Sequence, residues 1–479
     1  MILSPEAPIE TARTTSARRR AHSATELIRS PRPSPMLSLA VELISRVFFD
    51  VLEDVERHQT TSNLRKKRCT LSLVCRQWRN IVLECPSLWS NIVLEPSKGP
   101  IPADELCHLL SRARKYPLAI TWQPGYDPTS RHHFYDPRSQ VQPLYDLVKN
   151  HNWRNLHIDA RFAQNTPAHC FKAFILHLSQ GAITQNLTTF YLVTNYWQST
   201  LTSSSDPEET NLIASAFEAA PALTDLTIPW NLLQPSHPIF GRLKWLGLAH
   251  GDRAQRLQIS HILSIIRECH LLESLRIFRL ETTSGNGKHL IPHQASFTLG
   301  FLRHIQFENS EPPEKLFITL LCPNLRTLDL TAVKPKGSRF TDTERTLGEI
   351  LRYHGATLTR LSMQDVGITE RAMLSTVLPN VSGLRFLHMA HMYRISDRIL
   401  DNILRKSCPN LEEMYVKKCG ISSIRAGEIV GAFITERCKG AKGEGIIAHT
   451  ERNVSRWLSL RKLVWDEEDL LAPIMEIGH

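Results

Sequence analysis

The sequence predicts an α/β solenoid with parallel strands on a concave face, preceded by a three-helix N-terminal module. Three observations predict this fold class. An apolar hexamer of the pattern L-x-x-L-x-L recurs along residues 151–479, prolines precede several copies, and apolar residues at helical spacing fill the intervals. Residues 37–96 show the helical spacing expected of a small separate domain.

The N-terminal segment, residues 1–36, is rich in Ser, Thr, Pro and Arg and predicts a disordered tail, because it holds too few large apolar side chains to offset the entropy of ordering. It lacks the apolar stretch of a secretory signal, and no run in the chain approaches the roughly 18 apolar residues of a membrane span. Ten cysteines without such a signal indicate reduced thiols in the cytoplasm, the nucleus or both. We therefore expect no membrane association.

The first predicted helix of residues 37–96 carries two apolar stripes side by side: Leu39, Leu43 and Val47, and then Ile44, Phe48 and Val51. Such a helix needs partners on two sides. A charged insertion at about 53–68 follows, and the second helix is marked by these residues: Leu71, Val74, Cys75, Trp78, Ile81 and Val82. Pro86 suits the first turn of a short third helix. The basic run 65–68 has two interpretations, a nuclear-import or phosphate-binding patch and a solvated loop.

The remainder of the chain repeats one pattern. Eleven hexamers carry it: Trp153/Leu156/Ile158, Leu187/Phe190/Leu192, Leu223/Leu226/Ile228, Leu243/Leu246/Leu248, Leu272/Leu275/Ile277, Leu302/Ile305/Phe307, Leu325/Leu328/Leu330, Leu358/Leu361/Met363, Leu384/Leu387/Met389, Leu411/Met414/Val416 and Leu460/Leu463/Trp465. Most begin about 20 to 36 residues apart, close to the leucine-rich-repeat period. Each predicts a strand that packs its leucines against a helix of the same repeat, and stacking of repeats completes the core.

Proline-containing turns precede three of these strands, at Ala220-Pro221-Ala222-Leu223, Cys322-Pro323-Asn324-Leu325 and Cys408-Pro409-Asn410-Leu411. The proline ends the preceding helix and turns the chain into the strand. Helices are predicted between strands over these ranges: 313–321, 342–353, 369–378 and 396–407. Residues 97–150 are predicted to form a linker and the cap of the first repeat, and residues 151–479 the solenoid itself.

Residues 37–96 resemble an F-box. The matching residues are Leu39-Ala-Val-Glu42-Leu43-Ile44, Val47-Phe48, Leu71-Ser-Leu-Val74-Cys75-Arg76-Gln-Trp78-Arg79 and Pro86-Ser-Leu88-Trp89, of which L-x-x-V-C-R-x-W is the most specific. The stretch 109–118 resembles the linker and first strand of fungal F-box proteins with irregular leucine-rich repeats. Two features depart from the family pattern: Ala40 stands where a proline is usual, and the insertion at 53–68 separates the first two helices.

The resemblance implies that the F-box docks on the Skp-type adaptor of a cullin–RING ubiquitin ligase and that the repeats select an unknown target protein. The candidate adaptor-binding residues are Leu39, Leu43, Ile44, Phe48, Val74 and Trp78. Each has the alternative interpretation of internal core. The candidate target-binding residues alternate with the inward leucines: His157, Trp245, Arg276, Phe278, His304, Arg360, Phe386, His388, Tyr415 and Lys417. Aromatic residues beside arginine are typical of binding hot spots.

No pattern of an enzyme is present. The motifs H-E-x-x-H, G-x-S-x-G and G-x-x-x-x-G-K-[ST] are missing, so we expect a non-catalytic protein without a cofactor. Two rival functions are kept: a repeat scaffold, adaptor-tethered or free-standing, that acts without ubiquitination, and a nucleic-acid-binding solenoid. The second uses the net charge of +10, but that charge is spread along the chain and no basic stripe runs through successive predicted strands.

Overall fold

The computed structural model describes these residues: 39–56, 61–94, 103–122, 151–160, 185–194, 215, 217–218, 220–229, 234–249, 259–278, 296–310, 316, 319–333, 340–392, 396–420, 425–433, 462–465 and 468–469. The predicted tail, residues 1–36, lies outside them.

The N-terminal helical module consists of α1 (Val41–Glu56), α2 (Thr61–Val74), α3 (Arg76–Glu84) and a 3-10 turn (Pro86–Trp89). Its core is formed by these buried side chains: Ile44, Phe48, Phe49, Leu52, Leu64, Ile81, Val82, Leu88 and Val93. Pro86 lies in the first turn of its helix, as the sequence predicts, where the missing N–H would have no helical partner.

The second predicted helix is divided in the structure. The sequence predicts one helix through 71–82, but the backbone is extended at Cys75 (φ −158°, ψ 170°), where α2 ends and α3 begins. Cys75 Sγ accepts a hydrogen bond from the backbone N–H of Trp78 at 3.4 Å, so the thiol caps α3. The insertion predicted at 53–68 is helical over its described residues.

The basic run 65–68 is not the loop that the sequence allowed, because it lies within α2. Arg68 is buried, and its Nε donates to the carbonyl of Leu88 at 2.8 Å while its Nη2 donates to that of Asn91 at 3.0 Å. Its guanidinium carbon lies 5.4 Å from the Trp89 ring centroid. Arg68 therefore ties the helical module to the first strand of the sheet.

One sheet of 14 strands contains almost every strand described. In spatial order its strands are β1 (Asn91–Leu94), β2 (Leu118–Trp122), β3 (Trp153–Ala160), β4 (Thr189–Thr194), β5 (Asp225–Pro229), β6 (Trp245–Ala249), β7 (Ser274–Phe278), β9 (His304–Glu308), β11 (Thr327–Thr331), β12 (Arg360–Gln364), β13 (Phe386–Ala390), β14 (Glu413–Lys417), β15 (Lys462–Trp465) and β16 (Glu468–Asp469). Only β15 and β16 pair antiparallel. Two short strands, β8 (Phe297–Thr298) and β10 (Leu320–Leu321), form a separate pair.

All eleven hexamers contribute their second and third apolar residues to strands of this sheet, which confirms the α/β solenoid. From Leu156 to Leu463, those residues are buried along one face of the sheet; Leu328, for example, is 0% exposed. The sheet begins earlier than expected, because β1 lies within the segment 37–96 that the sequence predicts as the helical module.

Helices cover the inward face of the sheet: α4 (Ala103–Ala113), α5 (Ile259–Glu268), α6 (Phe340–His354), α7 (Glu370–Ala372) and α8 (Asp397–Asn402). The helices predicted over 342–353, 369–378 and 396–407 are confirmed, and the last two continue from α7 and α8 as π-helical turns. The fourth, 313–321, is wrong at its end, where Leu320–Leu321 forms β10.

Five successive strands of the sheet are each followed by a residue with positive φ that is not glycine: Asn309, Ala332, Asp365, His391 and Lys418. The backbone N–H of the first four donates to the carbonyl of the last residue of the next strand, for example from Ala332 to Gln364 at 2.7 Å. These left-handed residues thereby join one repeat to the next and keep β9 to β14 in one register.

The two Cys-Pro-Asn-Leu turns also join repeats. Asn324 Nδ2 donates to the carbonyl of Gly300 at 2.7 Å, and Asn410 Nδ2 donates to that of Ser382 at 3.2 Å. Burial raises the pKa of the Cys322 thiol to about 12. The cysteines of this motif therefore act as small apolar core residues rather than as nucleophiles.

Candidate functional site

The side chains that alternate with the inward leucines form the face of the sheet opposite the core, which we call the open face. It carries all ten residues predicted for the concave side: His157, Trp245, Arg276, Phe278, His304, Arg360, Phe386, His388, Tyr415 and Lys417. The parallel register aligns these positions in rows across neighbouring strands. Their role in target binding stays a prediction.

One of the ten is not available on the surface. Phe278 is 3% exposed and packs against Val193, Ala249 and Tyr191 in a small apolar cluster on the open face. Tyr191 in turn stacks on His157, with ring centroids 3.9 Å apart and an interplanar angle of 12°. Phe278 therefore supports its neighbours, because strand neighbours cover a side chain that the alternation alone predicts to be exposed.

An acidic residue on β5, Asp225, is partly buried on the open face. Burial raises the pKa of the Asp225 carboxyl to about 6, although the positive charge of Arg276 opposes that shift. Beside Asp225 in the same row, Trp245 is 46% exposed. Sequence reasoning missed Asp225, since a single acidic residue in a strand has no pattern that distinguishes it from a solvated one.

Three residues on neighbouring strands form a hydrogen-bonded chain. Ser274 Oγ lies 3.2 Å from His304 Nδ1, and His304 Nε2 lies 3.0 Å from Asp329 Oδ2. These are the residue types of a nucleophilic triad, but Ser274 is only 2% exposed, so a substrate has no access to its hydroxyl. The chain instead fixes the orientation of the imidazole, because both ring nitrogens are held.

Two neighbouring aromatic rings lie between two cations across β12 to β15. The guanidinium carbon of Arg360 lies 3.8 Å from the Phe386 ring centroid, and that ring lies 5.3 Å from the ring of Tyr415. Lys462 Nζ lies 5.1 Å from the Tyr415 centroid. We call Arg360, Phe386, Tyr415 and Lys462 the basic ladder. Lys462 was missed by the sequence reasoning, whereas the other three were among the predicted residues.

His388 lies beside the basic ladder on β13. Its Nδ1 is 3.0 Å from Ser362 Oγ. Burial lowers the pKa of His388, the positive charges of Arg360 and Lys417 lower it further, and the negative charge of Asp329 partly opposes them. The imidazole is therefore neutral at physiological pH, and it lies close to two cations, Arg360 and Lys417, whose positive charges both disfavour its protonation.

A second candidate surface lies on the helical module. Four apolar residues at a spacing of four are exposed along α1 and just before it, and we call them the exposed stripe: Leu39, Leu43, Val47 and Val51. Leu43 is 56% exposed and Leu73, near the end of α2, is 72% exposed. Val74 is exposed as well. Large apolar residues grouped in this way are typical of an interaction surface.

The structure divides the six predicted adaptor-binding residues into two groups. Leu39, Leu43 and Val74 are exposed, whereas Ile44 and Phe48 are buried in the core of the module and present no side chain to a partner. Trp78 is half-buried and meets Phe48 edge to face, with centroids 4.7 Å apart. The alternative interpretation of internal core holds for these last three. Sequence reasoning did not include Val47 and Val51, although their helical spacing with Leu43 contains the signal.

Among all the residues that the structure describes, the His, Cys, Asp and Glu side chains form no group of three that is placed to hold a metal ion. None of the helices described above combines the length and the apolar content that a membrane span requires.

No protein-family model matches the chain, and no curated protein is significantly similar to it. Among solved structures, the chain is similar to the Rad7 and Elc1 complex of yeast, with a TM-score of 0.37 and 12% identity over 80% of this chain and 91% of that chain. It is also similar to an internalin (inlF) from Listeria monocytogenes str. 4b F2365, with a TM-score of 0.27 and 10% identity over 60% of this chain and 73% of that chain. Likenesses this distant carry no argument about activity or partners.

Proposed function

We propose that the chain is a non-catalytic substrate-recognition subunit of a Skp–cullin–F-box type ubiquitin ligase in the cytoplasm or nucleus. In this function the helical module is the F-box that binds a Skp-type adaptor, and the open face binds a target protein. The observation that carries the proposal is the exposed stripe on α1, which lies beside a buried stripe of the same helix. The resemblance of residues 37–96 to an F-box supports the choice of partner.

The two stripes of α1 have the two roles that the resemblance implies, one in the core of the module and one in binding the adaptor. Ile44, Phe48 and Leu52 pack inside the module, and Leu43, Val47 and Val51 remain for a partner. Burial of an exposed Leu or Val contributes about 1.5–3 kcal/mol, so a partner that covers this stripe gains several kcal/mol from it.

The departure of Ala40 from the family pattern leaves the start of α1 intact. The carbonyl of Ala40 accepts hydrogen bonds from the backbone N–H groups of Leu43 at 3.0 Å and Ile44 at 3.1 Å. A proline at the same position has the same carbonyl. The alanine therefore keeps the first hydrogen bonds of the helix on which the exposed stripe lies.

The proposal is tested by co-purification of the adaptor and a cullin with the full chain. We compare the unaltered chain with the double variant Leu43→Asp, Val47→Asp. The matched control is Phe301→Asp, which charges an equally exposed apolar residue in the repeat region, since Phe301 is 55% exposed. We expect the double variant to lose the adaptor and the control to keep it. Equal capture by all three chains would refute the assignment of this surface.

The same experiment separates the rival functions. Adaptor and cullin together support a ligase subunit, whereas adaptor without cullin indicates a tethered repeat scaffold that acts outside ubiquitination. Capture of neither by the unaltered chain indicates a free-standing scaffold. Binding to nucleic acid would show as a steep fall of affinity with rising salt.

A further inference from the structure

Charge is unevenly distributed along the open face. The open-face positions of β12 to β15 hold three cationic side chains, Arg360, Lys417 and Lys462, against one carboxylate, Glu413. On β9 and β11 the same positions hold no lysine or arginine, and they hold two carboxylates: Glu308 and Asp329. The C-terminal end of the open face is therefore basic, and it is bounded by an acidic zone.

The cations of this end are pre-oriented by aromatic rings. Arg360 lies over Phe386, and Lys462 lies over Tyr415, as the basic ladder shows. Arg360 is exposed, and within the part of the chain that the structure describes its guanidinium makes no hydrogen bond or ion pair. A guanidinium held against a ring loses little freedom when it binds, and its N–H groups fit a carboxylate in bidentate geometry.

The spacing of the cations indicates an extended ligand. Arg360 and Lys462 lie in one row, three strands apart. Since neighbouring strands lie about 4.8 Å apart, their Cα atoms are separated by roughly 14 Å. One small anion does not bridge that distance, whereas about four to five residues of extended chain do.

We propose that the open face of β12 to β15 binds an extended acidic peptide, an aspartate- and glutamate-rich segment of the target protein, whose carboxylates pair with Arg360, Lys417 and Lys462. The inference rests on the proposed function in one respect, that the open face receives a target. It names the chemistry of that target segment and the strands that hold it.

A single-stranded nucleic acid fits this surface less well, although it too is an extended polyanion. Such ligands stack their bases on free aromatic faces. Here Arg360 already lies 3.8 Å from the centroid of Phe386, and Lys462 lies over Tyr415. The faces of these rings are therefore covered by the cations, and a ligand would contact the cations rather than stack on the rings.

The test is fluorescence anisotropy of the full chain with a labelled oligo-glutamate peptide. We expect Arg360→Gln and Lys417→Gln each to weaken binding roughly tenfold, as the loss of one charge-assisted contact predicts. The matched control is Arg371→Gln, which removes an exposed arginine of α7, on the helical side of the sheet and away from the open face. The control keeps full affinity. Equal effects of Arg360→Gln and Arg371→Gln overturn the proposal, as does tighter binding of oligouridylate than of the peptide.

A second variant guards against misfolding. Arg360→Lys keeps the charge and loses the bidentate geometry, so it retains part of the affinity that Arg360→Gln loses. Melting temperatures of both variants are expected to match the unaltered chain, because Arg360 is exposed. If Arg360→Lys and Arg360→Gln lose affinity equally, charge is not what the site recognises, and the proposal is wrong.

His388 makes peptide binding depend on pH, and a purely structural role of these residues would not produce that dependence. It faces Arg360 from β12, Lys417 and Glu413 from β14, and Asp329 from β11. A bound carboxylate offsets the two cations and favours the imidazolium, so binding raises the pKa of His388 and takes up a proton, and it strengthens as the pH falls through that raised pKa. His388→Gln is expected to flatten that dependence. An unchanged pH dependence in this variant contradicts the placement of the peptide.

The adaptor experiment keeps the two proposals apart. A chain that captures the adaptor but does not bind the peptide refutes the inference and leaves the proposed function standing. A chain that binds the peptide through Arg360 without capturing the adaptor refutes the proposed function and supports the acidic-peptide site.

Discussion

Helix α1 and strands β9 to β14 are both built on apolar repeats, yet they bury them differently. In the strands every inward residue is covered, as in Leu328 and Leu361 at 0% exposure. In α1 one stripe is buried and the neighbouring stripe, which contains Leu43, is more than half exposed at that residue. The difference shows that an apolar pattern predicts which side chains seek burial, but not whether the same chain supplies the cover.

The cause is the number of neighbours that each region has. A strand within the sheet has a repeat on either side and a helix beneath, so stacking completes its burial. Among the described residues, α2, α3, the 3-10 turn and β1 pack against the buried side of α1. The other side carries the exposed stripe, which we propose a second molecule covers.

The largest expected effect is on the strand side of this comparison. Leu328→Asp places an unpaired charge in the repeat core and is expected to destabilise the protein by several kcal/mol, enough to unfold the repeats around β11. Circular dichroism and thermal melting measure it. A variant that melts within a few degrees of the unaltered chain would show that β11 is not part of a continuous core.

A stabilising change is expected on the open face. Because burial raises the pKa of Asp225 to about 6, the folded chain holds a proton that the unfolded chain releases near its ordinary pKa of 3.8. Stability is therefore lost as the pH rises from about 4 to about 6, and the loss persists above that range. Asp225→Asn removes a cost on the order of 2–3 kcal/mol at neutral pH, and it has little effect at about pH 4.

Melting temperatures of both chains at the two pH values check this prediction. If Asp225→Asn lowers stability at neutral pH, the attraction between Asp225 and Arg276 outweighs the cost of burial, and the open face is held together by charge at this point.

A smaller effect is expected at the turns that join β9 to β14. Ala332 has a φ of 52°, a conformation that costs an alanine about 1 kcal/mol and a glycine almost nothing. Ala332→Gly is expected to stabilise the protein by up to about 1 kcal/mol in urea unfolding. Ala356→Gly, at an exposed residue whose φ is not positive, serves as the control and is expected to lower stability.

The smallest effect on stability is expected at the exposed stripe. Leu43→Asp is expected to change the free energy of unfolding by less than about 0.5 kcal/mol, because the side chain already meets water. The same substitution therefore unfolds the repeats at Leu328 and leaves the module unaffected at Leu43. If Leu43→Asp and Leu328→Asp destabilise the protein to a similar extent, α1 and the strands do not differ in the burial of their apolar residues.

The strands were predictable because each hexamer repeats a local pattern that neighbouring repeats reinforce. The division at Cys75 was not, since apolar spacing continues through it and only the backbone shows the break. The left-handed residues were hidden as well, because Asn309, Ala332 and Lys418 are not glycines. The local sequence does not show that Leu43 is exposed and Ile44 buried, because the burial of Ile44 depends on where α2 and α3 pack.

On the open face, alternation predicted which side chains lie on it, but not how they meet. The chain from Ser274 through His304 to Asp329 joins three strands far apart in sequence. Phe278 was expected to be exposed and is covered by residues of β4 and β6. Contacts of this kind depend on the register between neighbouring strands. That register cannot be read from the identity of a single residue.

Titration calorimetry of purified adaptor into the full chain measures whether the exposed stripe is the adaptor-binding surface that we propose. We expect binding with a negative heat-capacity change, as burial of apolar surface requires. The double variant Leu43→Asp, Val47→Asp is expected to keep the melting temperature of the unaltered chain and to lose at least about a hundredfold in affinity. Affinity equal to that of the unaltered chain would contradict an adaptor-binding role of the exposed stripe.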